Sequence, residues 1–208
     1  MRFFVPFDAR DPKTRLDSIL DDDERREFAR AMLADVLAAV RGADHEPTVL
    51  ATGPTEVDAP VIVDDRPLTP AVDDAFADSD RPVGLVVADC PLATPAAVDR
   101  LVAVDAAVTL APGLGGGTNA IVARTDEFRV DFHGVSIRDH RDRARAAGVD
   151  AATVDSFRLA LDVDEPADLA EVLLHGEGTA ARWLREAGVD LAVTDGRVEP
   201  TRRGETGE

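Results

Sequence analysis

Short apolar runs alternate with amphipathic helical stretches along almost the whole chain, and several of these runs show no in–out alternation of their own. Val83-Gly84-Leu85-Val86-Val87-Ala88 is apolar throughout, the pattern of a strand covered on both faces. The same reading gives strands at residues 2–7, 48–52, 61–63, 83–88, 107–111, 119–123 and 157–161. A helix over 24–41 follows Asp22 and Asp23, with Phe28, Met32, Leu33, Val36, Leu37 and Val40 at helical spacing. Thr94-Pro95 opens a helix running to 104, with Thr94 as N-cap and Pro95 in the first turn. Asp164-Glu165-Pro166 opens another over 167–174 in the same way. Strands and helices in alternation predict an α/β fold: one three-layer domain with a mainly parallel sheet. The domain is expected to occupy 1–196, with 197–208 as a polar, frayed C-terminal tail.

The charge balance narrows the class of function. Against 41 acidic residues stand 23 basic ones, a formal net charge of -18, which repels nucleic-acid backbones and makes DNA or RNA an unfit partner. Acidity recurring in every helix, with one lysine in the chain, fits a very salty cytoplasm, where screening suppresses self-repulsion. A basic protein partner is the rival explanation. No apolar stretch reaches the roughly 20 residues that span a bilayer, so no membrane role is expected. The lone cysteine, Cys90, reads as a small core hydrophobe in a reducing compartment, and a cytoplasmic location is expected.

Open α/β sheets bind ligands beyond the carboxyl ends of their strands, and unusual residues collect there. Lys13 lies in the loop after the first strand, in Pro12-Lys13-Thr14-Arg15-Leu16. An ammonium is a compact point charge that arginine does not replace, so a phosphate ligand and a spared surface lysine are both open readings. Asp89 follows the 83–88 run directly, and either caps a turn or meets a ligand. Asp162 and Asp164, two apart at another acidic strand end, would face one side about 6.5 Å apart. Two carboxylates about 4 Å apart repel by roughly 4 kcal/mol at an effective dielectric of about 20. A hard dication removes that conflict, and oxygen-only ligands favour magnesium or manganese over zinc. Alternatively Asp164 is a helix N-cap and Asp162 is solvated.

Gly113-Leu114-Gly115-Gly116-Gly117-Thr118-Asn119 is neither a Walker A loop nor a dinucleotide fingerprint, because an apolar strand follows it. It reads as a turn or as a substrate loop whose amides and Thr118 hydroxyl meet an anion. Gly134 and Ser136 precede a helix whose N-terminus would suit an anion, although Ser136 also reads as an ordinary cap. His140 on that helix reads as packing or surface, and the remaining histidines lack metal spacing.

These segments together resemble the 2-phospho-L-lactate guanylyltransferase family of deazaflavin coenzyme F(420) biosynthesis. The carriers are Val5-Pro6-Phe7 with Pro12-Lys13-Thr14-Arg15-Leu16, Ala88-Asp89-Cys90-Pro91-Leu92, Gly115-Gly116-Gly117-Thr118-Asn119-Ala120, Gly134-Val135-Ser136 with His140, Asp155-Ser156-Phe157, Asp162-Val163-Asp164-Glu165-Pro166 and Leu174-His175-Gly176. The resemblance implies a single Rossmann-like nucleotidyltransferase domain, a homodimer, and a reaction that joins GTP to a small phosphorylated hydroxy acid with release of pyrophosphate. It implies Lys13 and Arg15 on the GTP phosphates, Asp89, Asp162 and Asp164 on Mg2+, and Thr118, Gly134 and Ser136 on the acid. Lys13 and the three aspartates would then form the catalytic set. Many members carry lysine at the position of Asp8 and phenylalanine at that of Ile137, which bears on charge balance in the first loop and on pocket shape. Alternatives with the same fold are transfer to phosphoenolpyruvate, 3-phosphoglycerate, a sugar phosphate or molybdopterin, or a non-catalytic nucleotide-binding module.

Overall fold

The computed structural model describes residues 1–194 and 196–203. One sheet is built from β1 (Arg2–Phe7), β2 (Glu46–Ala51), β3 (Val61–Val63), β4 (Val83–Val86), β5 (Val108–Pro112), β6 (Thr118–Ala123) and β7 (Ala151–Thr153), in the order β3-β2-β1-β4-β6-β5-β7. The first four run parallel, with β1 and β2 in step from Arg2 opposite Glu46 to Phe7 opposite Ala51. β6 runs against both β4 and β5, and β7 returns parallel to β5. The sheet is thus mainly parallel, as the unalternating runs require.

Both faces are covered, and β1 shows why its sequence does not alternate. Phe3, Val5 and Phe7 enter the core shared with the helices α1 (Asp22–Gly42), α3 (Pro95–Val102), α6 (Pro166–His175) and α7 (Thr179–Glu186). Phe4 points the other way, into a second core under α2 (Leu68–Ala77) and α4 (Ser136–Ala146). A strand buried on both sides needs apolar residues at every position. Among the described residues no helix is long and apolar enough to cross a membrane.

Element ends follow capping chemistry. α1 begins two residues earlier than its periodicity predicts, because Asp21 accepts from the amides of Asp23 and Glu24 while Glu24 accepts from the amide of Asp21. This reciprocal box, with Asp22, Asp23 and Glu24 in the first turn, suits the positive end of the helix dipole. Its expected core stripe, Phe28 through Val40, is buried. Thr94 caps α3 as predicted, accepting from the amide of Ala97.

Three expectations need correction. Residues 157–161 were expected as a strand; residues Phe157–Ala160 form a short helix, α5, whose last carbonyls are taken by a side chain described below instead of a neighbouring strand. Glu165, not Asp164, holds the N-cap position of α6, and Asp168 Oδ2 accepts from both the Asp164 and Glu165 amides. The expected frayed tail begins too early at Arg197. Residues Val189–Thr194 (β8) and Arg197–Arg202 (β9) form an antiparallel ribbon. Arg202 fastens it to the body, donating from Nε to the Ile19 carbonyl at 2.8 Å and pairing with Glu24. A solvated ribbon and a frayed tail have the same polar composition, so polarity alone did not separate them. Residues 204–208 lie outside the described residues.

Candidate active site

The strand order reverses at β1: the chain leaves it outward to β2 and β3, then returns on its other side as β4. Crevices open at the carboxyl edge of such a switch point, where the two following segments diverge. The loop after β1 carries Lys13 into this crevice, and the segment after β4 carries Asp89.

Lys13 sits in the left-handed backbone region at φ 58° and ψ 40°, which costs a non-glycine residue about 1–2 kcal/mol. A 3₁₀ turn at Thr14–Leu16 holds it there, with the Leu16 amide donating to the Lys13 carbonyl at 2.9 Å and the Leu16 side chain fully buried. So placed, Lys13 Nζ donates to Asp89 Oδ2 at 2.5 Å and to Asp164 Oδ1 at 3.1 Å. Its side chain is 12% exposed. Burial pulls the ammonium pKa down, but the charges and hydrogen bonds of Asp89 and Asp164 outweigh it and hold the group above its ordinary value. Arg15, exposed at the rim, reaches Asp164 and Glu165 at 3.5 Å each.

Asp162 is placed by Asn119, a residue the sequence offered only as part of the glycine loop. Asn119 Nδ2 donates to Asp162 Oδ1 at 3.0 Å and also to the carbonyls of Leu159 and Ala160. One buried amide therefore closes α5 and aims the carboxylate that follows it. The signal was an asparagine at the mouth of an all-apolar strand, where a buried polar side chain has to find partners. Burial raises the Asp162 pKa, the Asn119 hydrogen bond opposes that, and the charges of Asp89 and Asp164 add to the rise.

The glycine loop serves this asparagine. A Cβ on Gly113 would lie 2.5 Å from Asn119 Oδ1, so only glycine leaves the amide its place. The Gly113 and Gly116 amides bond within the loop, to the carbonyls of Gly117 and Gly113, and are already engaged. Thr118 and Ser136 are both buried, their hydroxyls 3.2 Å apart. The Ile137 amide donates to the Gly116 carbonyl, tying the start of α4 to the loop. Gly134, at φ 51°, makes the turn into α4. Ile137, expected to shape a pocket, instead packs in the second core. Asp8 accepts from the Thr52 hydroxyl at 2.8 Å and from the Arg10 amide, so it stiffens the first loop.

The structure thus brings Lys13, Asp89, Asp164 and Arg15 into one cluster, sets Asp162 beside it through Asn119, and places Thr118 and Ser136 next along the same sheet edge. Among the described residues no three His, Cys, Asp or Glu side chains are grouped so as to hold a metal ion as they stand. The Lys13 ammonium lies between Asp89 and Asp164 and offsets the repulsion between those two carboxylates. The conflict expected from the sequence was between Asp162 and Asp164, and among the described residues Asp162 takes its side-chain hydrogen bond from Asn119 and none from Lys13. Asp89 Oδ1, however, is buried without a hydrogen-bond partner. Cys90 is fully buried, which pushes its thiol pKa well up and leaves it unreactive.

Two hollows share this edge. One, of about 220 Å³, is lined by Pro6, Phe7, Lys13, Arg15, Asp89 and Asp164. The other, of about 530 Å³, extends from Asp8 and Asp89 over the ends of β2 and β4 to Thr52, Asp64, Arg66 and Leu68.

The sequence matches the family described as guanylyl transferase CofC like over residues 1–203. The chain belongs to this family. It is 60% identical to a 2-phospho-L-lactate guanylyltransferase of Natronomonas pharaonis, across 98% of this chain and 100% of that one. It is 61% identical to a protein of the same name from Halomicrobium mukohataei, across 97% and 100%. Among solved structures, a candidate nucleotide-diphospho-sugar transferase of Desulfovibrio desulfuricans G20 superposes with a TM-score of 0.70 at 18% identity, covering 89% of this chain and 94% of that one. Membership makes the protein an enzyme of nucleotidyl transfer, with the α/β Rossmann-like domain read from its strand pattern. The relatives at this identity come from haloarchaea, in line with the acidity of the chain.

Proposed function

We propose that this protein transfers GMP from GTP to 2-phospho-L-lactate, giving lactyl-2-diphospho-5'-guanosine and pyrophosphate in coenzyme F(420) biosynthesis. The names of its close relatives support the substrates. The observation that carries the chemistry is the buried ammonium of Lys13, held between two carboxylates at the switch point of the sheet.

An ammonium has three hydrogens, and Asp89 and Asp164 take two of them. The third remains for a phosphate oxygen in the 220 Å³ hollow, next to the outward guanidinium of Arg15. The larger hollow continues from there and has room for a nucleoside. Thr118, Gly134 and Ser136 would hold the acid at the other end of the cluster. The acceptor phosphate needs no general base, because it is already a nucleophile. Its oxygen attacks the α-phosphorus of GTP, a P–O bond forms, and the bond to the departing pyrophosphate breaks. The protein's part is to set two anions in line and offset their repulsion.

Asp89, Asp162 and Asp164 would hold Mg2+, the donor chemistry being three hard oxygen ligands with Asp89 Oδ1 left unpartnered for one. When bound, such a cation supplies charge neutralisation on the phosphates. A homodimer and a cytoplasmic setting are proposed with the same reading; light scattering checks the former.

The test is a matrix of GTP, ATP, CTP and UTP against 2-phospho-L-lactate, phosphoenolpyruvate, 3-phosphoglycerate and a sugar phosphate, with magnesium, read by product mass. Guanylylated 2-phospho-L-lactate with stoichiometric pyrophosphate is the expected result. Product with a sugar phosphate alone overturns the acceptor, and no product with any pair overturns the reaction.

A further inference from the structure

We propose that His140 is a positioning residue for the acceptor acid: it sets the direction of the Thr118–Ser136 hydroxyl pair so that one hydroxyl hydrogen is left to donate to an anion. This rests on the reading that Thr118 and Ser136 hold the acid, and goes beyond it to what makes them donors.

The imidazole is fully buried, edge-on to Phe132 at 4.9 Å and tilted against Phe128 at 5.9 Å. Both ring nitrogens are engaged. The backbone amide of Asp131 donates to Nε2 at 2.8 Å, and Nδ1 lies 2.8 Å from Thr118 Oγ1. A backbone N–H can only donate, so Nε2 must be bare, and the single proton of a neutral imidazole must then sit on Nδ1. Burial, partly offset by the charge of Asp131, lowers the pKa to about 4 and keeps the ring neutral.

Counting hydrogens gives the consequence. Nδ1–H donates to Thr118 Oγ1. Two hydroxyl hydrogens remain, and one of them spans the 3.2 Å between Thr118 and Ser136. Whichever way that bond runs, one hydroxyl hydrogen is not used within the His140–Thr118–Ser136 chain and remains to donate to an anion. The other tautomer reverses this. A bare Nδ1 would take the Thr118 hydrogen, Ser136 would donate to Thr118, and the pair would offer an anion only lone pairs. The Asp131 amide therefore fixes the polarity of the hydroxyl pair through the ring. Asp131 is itself held by Arg143, whose Nε donates to its carboxylate at 3.0 Å.

Two substitutions separate this from a packing role. His140→Asn keeps an N–H near Nδ1 but loses the Nε2 acceptor. His140→Gln keeps an acceptor near Nε2 but loses the donor to Thr118. The assay uses whichever phosphorylated acid gives product, so a misassigned acceptor does not affect the outcome. His140→Gln and Thr118→Val are each expected to raise the acceptor KM by about tenfold or more while leaving the KM for GTP within about twofold. His140→Asn should stay within about threefold of wild type. Nitrogen-15 spectra of histidine-labelled wild-type protein should show the Nδ1–H tautomer, and they decide the question if a variant does not fold. Equal losses in Asn and Gln, or an Nε2–H tautomer in wild type, overturn the proposal. A raised acceptor KM in Thr118→Val but not in His140→Gln removes His140 alone. An unchanged KM in Thr118→Val shows that the acid is held elsewhere, and the binding reading falls together with this one.

Discussion

Lys13 stands in the left-handed region, yet its ammonium meets two carboxylates from segments 76 and 151 residues away. Arginine would keep the charge, but its planar fork does not fit where a point charge sits 2.5 Å and 3.1 Å from two separate oxygens. Lys13→Arg should lower kcat by at least about tenfold with little change in melting temperature, the size of loss that follows from one misplaced phosphate contact. Asp162→Asn keeps an oxygen for Asn119 Nδ2 and removes only charge, so the fold should survive while turnover falls by about 10²–10³. Circular dichroism with pyrophosphate release checks both, and a folded Asp162→Asn variant with wild-type turnover would sink the catalytic assignment. His140 gives a pH dependence with a definite sign. Its folded pKa of about 4 lies below the ordinary 6.5, so between those values the unfolded chain binds more protons than the folded one. The stability tied to the neutral ring is whole above pH 6.5 and is lost as pH falls toward 4, by up to about 3 kcal/mol. Urea titrations from pH 7 to 4 should show a drop that is reduced in His140→Asn.

At the scale of elements, the glycine loop works through contact rather than flexibility. Gly113→Ala places a methyl 2.5 Å from Asn119 Oδ1, too close for both to keep their places. The amide must turn away from Asp162 and from the α5 carbonyls together, so activity should fall at least as far as in Asn119→Ala. Stability should fall by about 1–3 kcal/mol for the buried groups left unpaired. Measured melting curves that match wild type would show that the loop relaxes. This joint also marks how far the sequence could be read. The parallel strands were legible because burial on both faces erases alternation, as in β1 and β4. The α1 stripe and the Thr94 cap were legible because periodicity and capping are local. Residues 157–161 were not, since a short apolar run suits a strand or a helix turn equally and the deciding partner, Asn119, comes from about 40 residues away. The candidate residues Lys13, Asp89, Asp162 and Asp164 were legible as charged residues after apolar runs, but Asp162 and Asp164 follow the helix α5 and not the strand expected there. That Lys13 would lie between two of the aspartates depends on the left-handed turn, which no residue type announces.

The whole molecule carries 41 acidic against 23 basic residues, and salt acts on this surface in two opposing ways. It weakens the exposed ion pairs, such as Arg66 with Asp64 and Asp74 or Arg143 with Asp131, each worth at most about 1 kcal/mol. It also relieves repulsion among the uncompensated carboxylates, which acts over the entire surface because the net charge is -18. The imbalance makes the second effect the larger, so the melting temperature should rise with potassium chloride. The Debye length falls from about 10 Å at 0.1 M to about 3 Å at 1 M, so most of the rise should be complete by about 1 M if screening is the cause. The Lys13 side chain is 12% exposed, so its ion pairs should weaken less than the exposed ones, and kcat per folded molecule should change less than stability does. A melt series in potassium chloride, with turnover measured at each salt, tests both halves. A melting temperature that stays flat would favour a basic partner as the reason for the acidity. A rise continuing steeply above 1 M would assign the effect to ion hydration at the carboxylates instead of screening.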